Sequence, residues 1–569
     1  KIIDLQGRMK VEGMDLPYLG NSLEANFLLS DKNFPKLLIH SLSVEKNKIN
    51  YNLPNLLFSY SDGAYQLFFP TVKLENSFFK TEILAKELGI SEKFIVNGDI
   101  NKLALRFANF EYPEINGYFE QVDLINSETG GFIKNLNGKF LIREDTFILR
   151  SDSPLVSLNS EEIFTDNINI SNLKGDILGK KFGDIFYLVN KSFSGSLNSI
   201  PVEGSFSYRP NMNSSDLDLF VSFKNSSYED LLDLIPNLDN LKIIKGWIGS
   251  HITCGKIKNS SLLYRLPFED NSNLSTQNFQ MIFNLEDGCF RLDNLSLSKI
   301  SMSAKIDNSH FLGSIKRSDF FGSELTSKIQ IYKELKKNSF RLNLESKFTG
   351  PFETLTNLLF NLSNDKVLSD INEFEAFGKQ QTTFSLDSPL SADSLNLLDK
   401  DSVLSLNSKI IGGSLKVKGS VLKLTRINSS FNFNSETGIE KSYLDLKLNS
   451  IPLEFSLLTT FSEGNPLSIL HSKVNLSEKQ IASLFPSSQG RLRGSSLFLI
   501  DIKLPSFLRG FQLTDPKMTV YSSLVGMQVN LPKGFNKTKR NSKQLVFNLN
   551  RNSSQNVFEL DFKYGNQDH

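Results

Sequence analysis

Two cysteines, one tryptophan and five histidines in 569 residues leave little for chemistry that needs sulfur, imidazole or a metal. Cys254 and Cys289 are too few for a disulfide scaffold. One bridge between them is open, but burial as small apolar side chains is the simpler reading. His40, His251, His310, His471 and His569 show no metal-ligand spacing. His251 lies three residues from Cys254, yet a zinc site would need two further ligands. The chain has no phosphate-binding glycine loop, no GxSxG elbow and no metalloprotease helix. No carboxylate pair is set up for glycoside hydrolysis. These absences point away from an enzyme, and neither a cofactor nor a metal is expected.

An excess of one charge is also missing. Lys and Arg number 63 against 62 Asp and Glu, for a formal charge of +1. The signs are interspersed, so the basic footprint of a nucleic-acid binder is absent. No run of 18 apolar residues suggests a membrane helix, and no leader peptide is visible. The strand pattern starts almost at Lys1 and continues nearly to Tyr564, as an excised piece of a larger protein would read. A missing anchor is therefore no proof of a soluble parent protein.

Phenylalanine, by contrast, is abundant at 47 residues, against 14 tyrosines. An A/T-rich genome accounts for the number but not for the placement, which is periodic. Phe340, Leu342 and Leu344 alternate with Arg341 and Asn343. Leu444, Leu446 and Leu448 alternate with Asp445 and Lys447. Phe498, Ile500, Ile502 and Leu504 form a longer stripe, with Asp501 and Lys503 on the other face, and Phe558, Leu560 and Phe562 alternate with Glu559 and Asp561. Period two puts each row on one face of a strand. A sheet that is greasy on one side and wet on the other is antiparallel in habit. Asp62-Gly63, Asn97-Gly98, Glu286-Asp287-Gly288 and Gly412-Gly413 read as hairpin turns.

Helical patterning is sparse. Ser226 and Glu229 have capping-box spacing before Leu231, Leu234 or Ile235, and Leu238, with Pro236 as a break. Asp230 and Asp233 read as solvated helix charge. A second helix is expected after Ser477, capped by Gln480, with Ile481, Leu484 and Phe485 as its apolar side. A third lies near 354–359. Covering the core is the plain role for all of them; membrane contact is the alternative.

The expected fold is all-β, with a few short helices; an elongated, highly curved antiparallel sheet forming a hydrophobic groove is one form it can take. Soft compositional breaks divide it into segments 1–150, 151–365 and 366–569. An exposed apolar strip requires a cover. A second sheet, closure into a barrel, or acyl chains in an open groove would each supply one, and alternation alone does not choose among them.

Several stretches, in order, resemble the AsmA-like bacterial envelope proteins. Ile235-Pro236 leads through Leu241 to Trp247-Ile248-Gly249 and Gly255-Lys256-Ile257, similar to that family's short helical passage and glycine-led strand. Asn278-Phe279-Gln280 runs on to Asp287-Gly288. Leu173-Lys174-Gly175-Asp176 resembles a recurring strand opening. Ser522-Ser523-Leu524-Val525-Gly526-Met527 runs into Leu531-Pro532-Lys533, where Gly534 departs from the family's pattern. The resemblance covers about 170–565. It implies a periplasmic bridge of a Gram-negative cell, anchored in the inner membrane, that conducts phospholipid toward the outer membrane without a chemical step. Phe340, Leu342, Leu344, Leu444, Leu446, Leu448, Phe498, Ile500 and Ile502 are the expected groove lining. Outer-membrane or periplasmic proteins are further expected partners. The runner-up reading is an envelope assembly factor that binds outer-membrane proteins through its β surface.

Overall fold

A computed structural model describes the chain except for residues 1–4, 17–19, 31–35, 47–48, 62, 75–93, 108–113, 128–129, 160–166, 183–184, 198, 211–214, 268–277, 293–294, 335–338, 363–373, 391–400, 418–422, 463–464, 505–516, 533, 553–556, 566 and 569. Some side chains within the described strands, among them those of 5–30 and 40–54, also lie outside the description. His40 and His569 fall there.

The class is all-β. The chain forms two compact units, one of 1–249, 256–284 and 305–309, the other of 250–255, 285–304 and 310–569. In the first unit the strands from Leu5–Leu16 to Ile252–Pro267 follow one another as an antiparallel meander, each paired with its sequence neighbour. In the second, the strands from His310–Phe320 to Gln567–Asp568 do the same, apart from short local exchanges around Gly438–Ile439 and Met527–Val529. The strand Leu5–Leu16 pairs only with Gly20–Ser30 among the described residues, so no strand pairing among them closes the first unit into a barrel. An open, bent sheet is what alternating apolar and polar residues with short connections produce.

The bends come from bulges. The register shifts at Asn97/Asp99, Lys134/Gly138, Ser171/Lys174 and Ile410/Gly413. A bulge adds an unpaired residue, bends its strand and increases the local twist. Three expected turns lie inside strands instead, two of them at such register shifts. Asn97-Gly98 lies inside Phe94–Phe107, Glu286-Asp287-Gly288 inside Asn278–Leu292, and Gly412-Gly413 inside Val403–Val417. Gly98 has φ 122° and Gly412 φ 61°, values that favour glycine in a bulge as much as in a turn. Gly63 is a true corner, since Ser61 pairs with Ala64 across it, while Asp62 lies outside the described residues. At Gly138, a Cβ would collide with the Arg150 carbonyl oxygen and would lie 2.6 Å from the Phe119 ring.

The first expected helix is divided. Helix α1 spans Tyr228–Asp233 and helix α2 Asp239–His251, separated around Pro236. The cap is Ser227, not Ser226, and its box partner is Asp230, not Glu229. Asp230 is thus not merely a solvated charge: its carboxylate accepts from the Ser227 backbone at 3.0 Å. Leu231, Ile235, Leu241, Ile244 and Ile248 are fully buried, so this pair covers core as expected. Helix α3 is longer than expected, Phe352–Leu362. Helix α4, Glu478–Leu484, has the expected Ser477–Gln480 capping box. It buries none of its residues, and Phe485 beyond it is 55% exposed, so it does not act as a core cover.

Candidate functional site: an apolar sheet face

Residues directly opposite one another in antiparallel strands point to the same side of the sheet. The register can therefore be followed across each unit. In the first, one row runs Leu37, Phe58, Leu67, Leu105, Ile115, Ile142, Phe147, Gly179, Leu188, Tyr208, Leu217. It contains no charged side chain. Ile115 and Phe147 are buried, but Leu37, Phe58, Leu67, Leu105, Ile142 and Leu188 are only half-buried. Ile39, Leu56, Phe69, Ile100 and Phe119 form a buried cluster beside it. A second sheet packed over this row would bury it fully. The partial burial leaves a greasy strip within reach of a ligand.

The second unit carries a comparable row: Gly350, Gln380, Ile410, Ser429, Leu444, Phe455, Ser472, Ile500, Val520, Phe547, Phe562. Its last strand is the more exposed end: Phe455 is 7% exposed and Phe562 37%. Leu560 is 62% exposed on the same strand, on the same side as Phe562.

The expected lining residues can now be placed. Phe340, Leu342 and Leu344 are buried on one face of Ser339–Pro351, together with Ser346 and Phe348. Leu344 pairs with Ile329 on one side and Leu386 on the other. Leu444 and Ile500 share the row above. Leu446, opposite Leu453, is buried, and Leu448, opposite Ile451, is half-buried. Phe498 is buried opposite Val474, while Ile500 and Ile502 are half-buried.

Sequence alternation did not reveal the hydroxyls on this face. Ser327 Oγ lies 2.8 Å from Ser346 Oγ, Ser388 Oγ 2.8 Å from Ser402 Oγ, and Thr382 Oγ1 2.9 Å from Ser408 Oγ. Each of these hydroxyls satisfies a cross-strand neighbour, which lowers the polarity of the face at these positions. The signal was available only through register, because the partners are far apart in sequence.

Where Ser327, Ser346, Phe348 and Phe384 meet Phe320 and Leu358 of α3, the face opens into a recess of about 50 Å³. No charged residue lines it. The opposite face carries ion pairs among exposed apolar side chains such as Phe220 and Leu263: Arg341 Nε donates to Asp387 Oδ1 at 2.8 Å, and Arg265 Nε to Asp218 Oδ1 at 2.6 Å.

A family model described as "YhdP protein" matches residues 88–567. The chain belongs to the YhdP family. No curated protein and no solved structure matches it. Two features of this YhdP-family chain bear on its chemistry. Among the described residues, no group of three or more His, Cys, Asp or Glu is placed to hold a metal ion. Cys254 and Cys289 are bridged, with their Cα atoms 4.9 Å apart, which corrects the preference for free buried cysteines and removes the pairing of Cys254 with His251. Beside the bridge, Leu285 packs over both Gly255 and Gly288, and Asp287 has φ 50°. No helix among the described residues is long and apolar enough to cross a membrane.

Proposed function

We propose that this chain is a non-enzymatic conduit for phospholipid between the inner and outer membranes, holding acyl chains against its apolar face. Family membership and an open sheet with one greasy face support lipid transport in general. The phospholipid cargo, the periplasmic location with an inner-membrane anchor, and the outer-membrane barrier as the beneficiary belong to this proposal. The single observation that carries it is the half-buried row from Leu37 to Leu217, apolar at nearly every strand and uncharged throughout. Each methylene laid on such a surface contributes about 0.8 kcal/mol, without any specific side chain. Phe340, Leu342, Leu344, Leu444, Leu446, Leu448, Phe498, Ile500 and Ile502 are the proposed lining of the second unit.

Mass spectrometry of the gently purified chain should find bound phospholipid. A photo-crosslinking side chain at Leu105 or Ile500 should attach to it, and one at Arg265 on the opposite face should not. A chain that carries no lipid and crosslinks instead to outer-membrane proteins would transfer the case to an assembly factor.

A further inference from the structure

Helix α3 lies on the face proposed to hold lipid. It follows directly from the strand Ser339–Pro351 and packs against that strand and Phe374–Leu390. Phe352, Leu355 and Leu358 are buried. Phe352 reaches toward Gly413, where a Cβ would stand 3.4 Å from its ring, and Leu358 forms part of the recess wall. Ser323, Leu325, Ser327 and Ile329 show that this is the buried face, since they alternate with exposed residues along Ser323–Glu334. A chain laid along this face would meet α3.

One buried residue of the helix makes two polar contacts to the neighbouring corner. Thr354, fully buried, donates from Oγ1 to the Phe321 carbonyl at 3.1 Å, and its Oγ1 lies 2.7 Å from Ser323 Oγ. With one proton on Thr354, Ser323 is left as donor in the second contact. The strand beneath holds an incompatible group. Gln380 is 1% exposed, its Oε1 accepts from Thr382, and its Nε2 has no hydrogen-bond partner among the described residues. An amide donor sealed without a partner destabilises the sealed arrangement and favours one in which it can be solvated.

We propose that α3 is a displaceable cover on the lipid-binding face, held down by the Thr354–Ser323–Phe321 latch and loosened by the buried amide of Gln380. Seated, it occludes the face beside the recess; lifted, it frees that face for an acyl chain and exposes Gln380 Nε2 to an acceptor. The cover's role rests on the lipid-conduit reading, whereas the latch itself can be measured without lipid.

Hydrogen exchange on the full chain, free of added lipid, tests the latch. The α3 amides should exchange at least about fivefold faster in Thr354→Val and slower in Gln380→Leu, because the two substitutions act on opposite sides of the same equilibrium. Unchanged α3 exchange in both variants overturns the latch. The cover is tested by Ser323→Cys with Thr354→Cys, mapped by peptide analysis with the native bridge in place. Against phospholipid vesicles carrying a photoactivatable acyl chain, the oxidised pair should reduce labelling at Phe384 at least about fivefold and leave labelling at Leu105 unchanged. Full labelling at Phe384 in the locked chain overturns the cover. Absence of labelling at both positions in the unsubstituted chain overturns the lipid reading, and the exchange measurement then still decides the latch.

Discussion

Leu444 and Ile500 occupy one row of the sheet, joined through Phe455 and Ser472, with each step a direct cross-strand pair. The row makes the two residues neighbours on a surface rather than members of separate stripes. Glutamate at both positions places two carboxylates on the greasy face. We expect bound lipid to fall below a tenth of its normal amount while the far-ultraviolet circular dichroism stays that of a β protein. Both sites are only half-buried, so the charges retain access to water. Loss of the β spectrum would show that the row is closed core.

The Cys254–Cys289 bridge closes a loop with a sequence separation of 35. Loop-closure entropy puts its contribution at about 3–4 kcal/mol as an upper figure. Serine at both positions should lower the unfolding midpoint in urea. Reductant should lower the midpoint of the unsubstituted chain by the same amount and leave the double variant unmoved.

Lys537 is buried, and its Nζ donates to the carbonyls of Leu524, Met527 and Thr538 at 2.5, 2.8 and 3.0 Å. Burial pushes its pKa down from the usual lysine range. Between the folded and the unfolded pKa the unfolded chain holds more protons, so this residue makes stability rise with pH across that alkaline window. Methionine at 537 fills the space but leaves carbonyls unpaired, and should cost about 1–3 kcal/mol. The alkaline rise should vanish with it, which chemical denaturation at several pH values would register.

Arg150 and Asp176 meet in a two-pronged contact of 2.6 and 2.7 Å, and the guanidinium holds the Asp176 carboxyl below its ordinary range. A depressed folded pKa gives stability that is present above the unfolded value, about 3.9, and lost as pH falls through the folded one. Both side chains are about half exposed, so the effect is small and screened by salt. Acid unfolding of Asp176→Asn should therefore be slightly shallower than that of the unsubstituted chain at low ionic strength, and indistinguishable from it at high.

Alternation was enough to read the strand faces, because the side-chain period of a strand is a local property. Phe340, Leu342 and Leu344 are buried as their spacing implies, and Ser477 with Gln480 caps α4 because a capping box is written within four residues. Glycine pairs were misread for a physical reason. A positive φ serves a turn and a bulge alike, so Gly98 and Gly412 do not announce which one they make. The cysteine bridge was also hidden, since Cys254 and Cys289 are 35 residues apart and meet only once the strands Ile252–Pro267 and Asn278–Leu292 that carry them have folded. Likewise, Thr354 finds Ser323 only after the chain has turned from strand to helix across the sheet.

Within each unit, nearly every strand is bonded only to the one before and the one after it. Such a body behaves as a one-dimensional stack, in which stability and folding propagate between neighbours. Its length is thus an adjustable quantity. A hairpin inserted at an exposed corner such as Gly63 would add two spacings of about 4.8 Å each and disturb only the pairs that flank it. The distance such a sheet spans can then change by whole hairpins through duplication or loss, with no redesign of the surface that the remaining strands present.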